Sequence, residues 1–221
     1  MTGALSAASL PIVVLISGNG TNLQAIIDAV KRGELPAEIR AVISNRPQAF
    51  GLERARRAGI PAEVVDHTRY PDRDGFDAAL QTAIDRYRPA LVVLAGFMRI
   101  LTPQFVRHYH GRMLNVHPSL LPAFRGLDTH RRALAAGVKE HGVSIHFVTD
   151  ELDGGPVIVQ QKVPILPGDD AARLAARVQE EEHRLYPRVI RWFAQGRLKL
   201  HDNRIMFDGK PLALPQSGDS A

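Results

Sequence analysis

The sequence predicts an α/β protein built on an open, mostly parallel, twisted sheet with helices on both faces. Strand-like apolar runs alternate with amphipathic helical stretches through the first half, which is typical of right-handed βαβ units. The first run, Pro11–Ser17 (PIVVLIS), is continuous and β-branched, as expected of a strand covered on both faces. The chain has 221 residues, enough to bury one large core.

The first half divides into regular elements. The stretch Asn22–Arg32 places four aliphatic residues on one helical face and stops at Gly33. The same alternation continues to the fourth strand. The elements expected here are the strands Pro11–Ser17, Arg40–Ser44, Ala62–Val65 and Ala90–Ala95, and the helices Asn22–Arg32, Ala49–Ala58 and Gly75–Tyr87.

The second half is less regular. The alternation in Val143–Thr149 predicts a partly exposed strand, and the following DELDGG turn suggests a hairpin. A long helix is expected after Gly168, capped by Asp169 or Asp170, and Pro187 should kink or break it near Tyr186. The other elements expected here are the strands Met113–His117 and Pro156–Ile165 and the helix Thr129–Ala136.

Composition excludes several classes of protein. The chain contains no cysteine, so disulfides, thiolate metal sites and a cysteine nucleophile drop out. The first ten residues lack a secretory pattern, and the longest apolar runs have only the length of strands. We therefore expect a cytoplasmic protein with no membrane partner.

The charge balance favours small anionic ligands. The formal net charge is +5, but the arginines are scattered and aromatic residues make up only 6% of the chain. A surface for nucleic acid would need a dense basic block with interleaved aromatic residues. We therefore expect small-molecule substrates and no nucleic-acid partner.

The stretch Ser17–Asn22 (SGNGTN), called the glycine turn below, is the first candidate site. Its two glycines let the backbone approach a phosphate at a helix N-terminus, and Thr21 and Asn22 add polar side chains. It lacks the third glycine of a dinucleotide fingerprint, and strand two ends in Ser44-Asn45-Arg46 without an acidic residue. We favour a binding site for one phosphate, of the size that a mononucleotide needs. The alternative is a glycine turn that only caps the following helix and binds no ligand.

The stretch Leu114–Pro122 (LNVHPSLLP) is the second candidate. Strand alternation puts Asn115 and His117 on one face, where an amide can stabilise an oxyanion and an imidazole can move a proton. A histidine that simply caps the turn before Pro118 is the alternative. The spacing of the nine histidines groups none of them into a zinc set, so no metal site is predicted.

The stretch Thr149–Pro156 (TDELDGGP) is the third candidate. It is either a solvated turn or a loop that holds one of its three carboxylates inward. A carboxylate beside a histidine would favour the imidazolium and fix its tautomer. The three candidates together in one α/β domain predict a proton-transfer site.

Several segments carry a family resemblance. The segments VVLISGNGTNLQAII, LAGFMRIL, NVHPSLLP, HFVTDELDGGPVI and ARVQEEEHRLYP resemble the glycinamide ribonucleotide formyltransferases, folate-dependent enzymes of purine biosynthesis. The similarity runs in order from about Ile12 to Asp208. The motif NVHPSLLP marks the wider group of formyl-folate enzymes, whereas GNGTN together with QEEEH is more particular to this family.

The resemblance implies roles for individual residues. Asn115, His117 and Asp153 match the catalytic trio. The family's loop that holds the substrate phosphate corresponds in this chain to Gly20, Thr21 and Asn22. The family residues that contact the ribose and the glycinamide part correspond to Gln179 and Glu182. The folate-binding positions match Arg73, Met98, Arg99, Ile100, Leu101, Asn115, Thr149, Asp150, Glu151, Leu152 and Asp153.

The resemblance also implies an activity and an organisation. The expected reaction moves the formyl group of 10-formyltetrahydrofolate, a co-substrate, to the amine of N1-(5-phospho-D-ribosyl)glycinamide, without a metal. One Rossmann-like formyltransferase domain would fill residues 1–221. It would have a phosphate-binding half at about 11–110, a catalytic and folate-binding half at about 111–208 and a loose tail at 209–221. The expected assembly is a monomer or a homodimer.

Two alternatives remain open. A formyltetrahydrofolate hydrolase would have less use for the glycine turn, and usually carries an N-terminal regulatory domain for which ten residues leave no room. A non-catalytic nucleotide-binding sensor would keep GNGTN without needing Asn115, His117 or Asp153. Two further classes are disfavoured. A methionyl-tRNA formyltransferase is expected to carry a further C-terminal RNA-binding domain, for which this sequence is too short. A nicotinamide dehydrogenase is expected to have the third glycine of the dinucleotide fingerprint, which the glycine turn lacks.

Overall fold

A computed structural model describes residues 9–218 of the chain. The expected lack of a secretory signal concerns mainly residues 1–8, and the expected tail extends to residues 219–221. Both of these segments lie outside the described residues. The helices are α1 (Thr21–Lys31), α2 (Gly51–Arg57), α3 (Arg73–Asp85), α4 (Pro103–His108), α5 (Thr129–Ala135) and α6 (Ala171–Ala194). The strands are β1 (Leu10–Ile16), β2 (Ala37–Ser44), β3 (Ala62–Val64), β4 (Leu91–Leu94), β5 (Met113–His117), β6 (Glu140–Phe147), β7 (Val157–Pro164), β8 (Leu198–His201), β9 (Arg204–Phe207), β10 (Lys210–Pro211) and β11 (Gln216–Ser217).

The described strands form one large and one small sheet. The large sheet has eight strands in the order β11-β7-β6-β5-β4-β1-β2-β3, and the small one has the order β10-β9-β8. In the large sheet β6 runs antiparallel to both β5 and β7, and the other neighbouring pairs are parallel. The predicted open, mostly parallel sheet is therefore confirmed.

Alternate residues of the central strand serve two cores. Ile12, Val14 and Ile16 of β1 pack in a core with residues of α1 and α6, whereas Val13 and Leu15 pack in a second core with residues of α3 and α4. All five side chains are fully buried. The continuous apolar run predicted such two-sided burial, because a strand exposed on one face would alternate with polar residues. Helices therefore cover both faces of the sheet.

The strand order reverses at β1. The chain passes from β1 outward to β2 and β3, then returns to place β4 and β5 on the other side of β1. In open α/β sheets, ligands bind at such a switch point, outside the carboxyl ends of the strands. The segments that follow β1, β4 and β5 therefore meet where a site is expected.

Helix α6 does not break at Pro187. It is continuous over Ala171–Ala194, so of the kink or break expected near Tyr186, the break does not occur. Losing a helical hydrogen bond to proline costs about 3 kcal/mol. The residues around Pro187 offset this cost, because Leu185, Tyr186 and Val189 are fully buried and each contributes about 1.5–3 kcal/mol on burial.

Strand β6 is buried along most of its length, so the expected partial exposure is also wrong. Ser144 and His146 are as inaccessible as their apolar neighbours. The loop after β5 covers this face: the Ser144 hydroxyl donates to the Ser119 carbonyl at 2.6 Å and accepts from the Leu121 N–H at 3.0 Å. Polar alternation here reflects paired polar groups rather than contact with water.

Part of the expected loose tail is ordered. Lys210–Pro211 pairs with β9, and Gln216–Ser217 adds an edge strand beside β7. The Arg184 side chain on α6 donates to the Gly218 carbonyl at 2.9 Å and holds the end of this strand. Helix α4 and the small sheet were not predicted, because short elements give little periodic signal.

None of the helices within residues 9–218 combines the length and the apolar character needed to cross a membrane.

Candidate active site

The site lies where β1, β4 and β5 end, and a side chain that follows β2 supports it. Ser17, directly after β1, donates its hydroxyl to Asn45 Oδ1 at 2.6 Å and accepts from the Met98 N–H at 2.7 Å. Its backbone N–H donates to the Gly96 carbonyl at 3.1 Å. These bonds hold the segment after β4 against the glycine turn.

Asp153 is the centre of a buried polar cluster. Its Oδ2 lies 3.4 Å from His117 Nδ1 and accepts from the Gly126 N–H at 2.9 Å, and its Oδ1 lies 3.8 Å from His146 Nε2. Its side chain is 8% exposed. The residue has a left-handed backbone with φ of 48°, which is costly for a non-glycine residue. The loop therefore holds this carboxylate inward against two imidazoles.

The other two carboxylates of the loop point outward. Asp150 pairs with Arg107 at 3.5 Å, and Glu151 pairs with Arg125. The loop pattern alone left open which carboxylate turns inward, whereas the family resemblance pointed to Asp153, and Asp153 is the one that turns inward in the structure.

His117 has a partner on each ring nitrogen. Its Nε2 lies 3.0 Å from the Phe124 carbonyl, and its Nδ1 faces Asp153. A carbonyl oxygen can only accept, so Nε2 carries a proton. A second proton on Nδ1 would point at the Asp153 carboxylate. The two contacts therefore fix the orientation of the ring, with Nδ1 towards the carboxylate.

His146 is a neighbour that sequence reasoning missed. Its Nδ1 lies 2.9 Å from the Phe147 carbonyl and therefore carries a proton. Burial lowers the pKa of His146, which keeps the ring neutral and leaves Nε2 as an acceptor. Asn115 Nδ2 lies 3.1 Å from this nitrogen, so the amide group of Asn115 is oriented by one N–H. The antiparallel register of β5 and β6 pairs Asn115 with His146, and the sequence alone does not show this register.

Two adjoining cavities surround this cluster. The larger, of about 590 Å³, contacts Asn115, His117 and Asp153 and has Arg73 and Arg99 in its wall. The smaller, of about 120 Å³, lies between the segment after β4 and the loop after β6. The predicted folate residues that line the larger cavity are Arg73, Met98, Arg99, Ile100, Asn115, Leu152 and Asp153. Those that line the smaller are Arg99, Ile100, Leu101, Asn115, Thr149, Asp150, Glu151, Leu152 and Asp153.

The rim of the cavities is apolar. Met98, Ile100 and Leu152 expose half or more of their surface, and Leu127 is 72% exposed. Exposed apolar groups beside polar walls are the usual make-up of a pocket for a heteroaromatic ligand. The Arg99 guanidinium lies 5.6 Å above the ring of Phe76, so its charge is held at this wall.

The glycine turn starts helix α1 next to α6. Gly20 has φ of 73°, a left-handed conformation that favours glycine, and the helix begins at Thr21. Asn22 Nδ2 donates to Glu182 Oε2 at 2.7 Å. Burial raises the pKa of Glu182, and the bond from Asn22 partly opposes that shift. Gln179 lies on the exposed side of α6, one turn earlier. The structure therefore brings Asn22 and Glu182 together and leaves Gln179 at the surface.

Within the described residues, no group of three or more His, Asp or Glu side chains is arranged to hold a metal ion.

Comparison with known proteins assigns the chain to a family. A family model described as "Formyl transferase" matches residues 10–190. The phosphoribosylglycinamide formyltransferase of Escherichia coli strain K12 is 58% identical over 210 residues, which cover 95% of this chain and 98% of that protein. The solved structure of the phosphoribosylglycinamide formyltransferase from Coxiella burnetii has 58% identity and a TM-score of 0.91, covering 95% of this chain and 99% of that one. The human trifunctional purine biosynthetic protein adenosine-3 is 44% identical over 192 residues, which cover 87% of this chain and 19% of that protein. The chain therefore belongs to the formyl transferase family and, within it, to the phosphoribosylglycinamide formyltransferases.

Proposed function

We propose that this enzyme transfers the formyl group of 10-formyltetrahydrofolate to the amine of N1-(5-phospho-D-ribosyl)glycinamide. The products are the N-formyl ribonucleotide and tetrahydrofolate, a step of de novo purine biosynthesis. The observation that carries this proposal is the inward carboxylate of Asp153, which lies beside His117 and His146 at the junction of two cavities. A transfer between two bound small molecules needs a proton-moving group at such a junction.

The ribonucleotide would bind across the ends of α1 and α6. Gly20, Thr21 and Asn22 would direct the free backbone N–H groups of the α1 N-terminus at the phosphate. Gln179 and Glu182 would contact the ribose and the glycinamide part. The buried bond between Asn22 and Glu182 supports this division, because it joins the two groups of residues.

The folate would occupy the paired cavities. Backbone groups of Thr149–Asp153 and of Leu101 would face the pterin ring in the smaller cavity, and the apolar side chains of Met98, Ile100 and Leu152 would cover the flat ring system. Arg73 and Arg99 would attract the glutamate carboxylates at the wall of the larger cavity. The adjoining positions of the two cavities support this arrangement.

The chemistry follows from the three polar side chains. The ribonucleotide amine attacks the formyl carbon, and the formyl oxygen becomes an oxyanion. The second N–H of Asn115 and the Nε2–H of His117 would donate to that oxyanion, each worth about 3–4 kcal/mol. The formyl oxygen would then replace the Phe124 carbonyl, which accepts from His117 Nε2 in this structure. The proton lost by the amine passes to the leaving folate nitrogen with the help of His117, and Asp153 stabilises the imidazolium.

The test is an assay of turnover with each substrate omitted in turn. We expect deformylated folate to accumulate, as followed by absorbance, only when the ribonucleotide and the formyl folate are both present. Folate release without the ribonucleotide would identify a hydrolase. Binding of the ribonucleotide without any release of deformylated folate would identify a sensor.

We also propose the setting in which the enzyme works. Its partners are small molecules, its assembly is a monomer or a homodimer, and its location is the cytoplasm. The absence of cysteine and the anionic nature of both substrates, set against a net charge of +5, support this setting.

A further inference from the structure

We infer that Arg54 of helix α2 is a positioning residue that fixes the glycine turn for the phosphate of the ribonucleotide. The inference rests on the proposed function. It adds a residue from outside the turn and from outside α6, the two segments so far given a part in binding the ribonucleotide.

The Arg54 guanidinium forms two hydrogen bonds with Asn19 of the glycine turn. Its Nε donates to the Asn19 carbonyl at 2.8 Å, and its Nη2 donates to Asn19 Oδ1 at 3.0 Å. The two bonds use the planar fork of the guanidinium, a geometry that lysine cannot reproduce. Asn19 is therefore held through both its main chain and its side chain, directly before Gly20.

A second contact orients the same guanidinium. Arg54 Nη1 donates to Gln24 Oε1 at 3.3 Å, and Gln24 Nε2 donates to Asp28 Oδ1 at 2.9 Å. The Arg54 guanidinium also lies 5.0 Å above the ring of Phe50. The stacking on Phe50 and the hydrogen bonds together restrict the orientation of the Arg54 guanidinium.

Helix α2 itself packs directly on the turn. The Gly51 N–H donates to the Gly18 carbonyl at 3.0 Å. A Cβ built on Gly20 would lie 2.7 Å from Gly51 Cα, and one built on Gly51 would lie 2.4 Å from Ile16 Cδ1. Both glycines are needed for this close approach. The start of α2 therefore supports the turn and fixes the position from which the Arg54 side chain reaches it.

The charge of Arg54 faces a cavity beside the turn. This cavity, of about 370 Å³, is lined by Thr21, Arg54, Arg32 and His183 among others. Burial is the main cause that lowers the pKa of His183, and the charge of Arg54 adds to it. Two of the nitrogen atoms of the Arg54 guanidinium already donate to Asn19, so its main effect on the phosphate is to hold the N–H groups of α1 in place. The positive charge of Arg54 adds a further attraction.

The test compares two variants of Arg54 with a matched control. Arg57 lies one turn later on α2, has its guanidinium 5.8 Å from the ring of Phe50 and pairs with Glu53, so Arg57→Gln removes an equal charge without touching the turn. Arg54→Gln should raise KM for the ribonucleotide about 10- to 100-fold and change kcat less than about threefold. Arg54→Lys should recover less than half of this loss on a logarithmic scale, and Arg57→Gln should leave KM within about twofold.

Binding measurements separate positioning from misfolding. The affinity of each variant for a folate analogue, measured by calorimetry, should equal that of the wild type. An equal loss of affinity for the folate analogue in Arg54→Gln would overturn the inference, as would an unchanged KM or an Arg54→Lys variant with wild-type KM. A wild-type protein with no affinity for the ribonucleotide would instead overturn the proposed function, which is a distinct result.

Discussion

In the proposed mechanism a single carboxylate, that of Asp153, assists His117. It lies within 3.4 Å of His117 Nδ1, whereas Asp150 in the same loop pairs with Arg107 at the surface. The two residues differ in burial and partner but not in side-chain chemistry. They therefore form a matched pair for mutation.

Asp153→Asn should lower kcat about a hundredfold or more, because it keeps the side-chain shape but removes the charge that stabilises the His117 imidazolium. The KM values of both substrates should change far less. Asp150→Asn should leave kcat within about twofold, because its ion pair is exposed. Steady-state kinetics on both variants checks this. Equal losses in the two variants, or a normal kcat in Asp153→Asn, would contradict the assignment.

His141 makes stability depend on pH. Burial lowers the pKa of His141 to about 4 from its ordinary value of 6.5, with a smaller effect from the nearby His130. Between these two values the unfolded chain binds more protons than the folded chain. The stability that this residue contributes is therefore complete above about pH 6.5 and is lost as the pH falls towards 4.

His141→Leu should remove this sensitivity. Between pH 6.5 and pH 5 the free energy of unfolding of the wild type should fall by about 1–2 kcal/mol more than that of the variant. Urea unfolding at several pH values measures the difference. An equal fall in both proteins would show that His141 titrates alike in the folded and unfolded states.

At the scale of residues, the sequence predicted the side chains but not all of their partners. Spacing and motif placed Asn115 and His117 on one strand face and offered three carboxylates as neighbours. Among these carboxylates only the family resemblance singled out Asp153. Local patterns could not do so, because they do not predict the left-handed φ that turns this residue inward. His146 and Arg54 were missed because their partners lie 31 and 35 residues away in sequence.

Among the elements, α6 contacts two neighbouring central strands through one side chain. The Tyr186 hydroxyl lies 3.0 Å from the Leu94 carbonyl and 2.9 Å from the Leu114 carbonyl. Burial raises the pKa of Tyr186 well above its usual range, so the hydroxyl keeps its proton as a donor. The end of β4 and the first half of β5 are thereby fixed to one helix.

Tyr186→Phe should destabilise the protein by about 1–3 kcal/mol, because it leaves two buried carbonyls without this donor. Tyr70→Phe is the control, since the Tyr70 ring packs edge-on against Phe76 near the surface. It should cost less than about 0.5 kcal/mol. Chemical denaturation of both variants tests the claim, and losses of the same size would argue against a special role for Tyr186.

Elements of the parallel half were predictable, and those of the second half were less so. Each βαβ unit shows its own switch between strand and helix periodicity, so β1 to β4 and α1 to α3 followed from local patterns. Helix α6 survives Pro187, and the edge strand β11 joins β7, because of packing between segments far apart in the chain. Local propensity does not encode such contacts.

Across the whole molecule, the reversal of strand order at β1 accounts for the position of the site. It gathers the glycine turn after β1, the apolar segment after β4 and the polar end of β5 at one edge, and the loop after β6 brings Asp153 to the same place. The family resemblance predicted this gathering, and the topology gives its physical cause. Two ligands held by these segments would then meet near His117.

Transfer of a labelled formyl group in a single turnover tests this account most directly. The enzyme is mixed with one equivalent of 10-formyltetrahydrofolate carrying ¹³C in the formyl group and with the ribonucleotide, and the carbon is followed by NMR. We expect the label to appear on the amine of the ribonucleotide in step with the formation of tetrahydrofolate, and we expect His117→Ala to slow both together. Label released as free formate, or transfer that continues at the wild-type rate in His117→Ala, would contradict it.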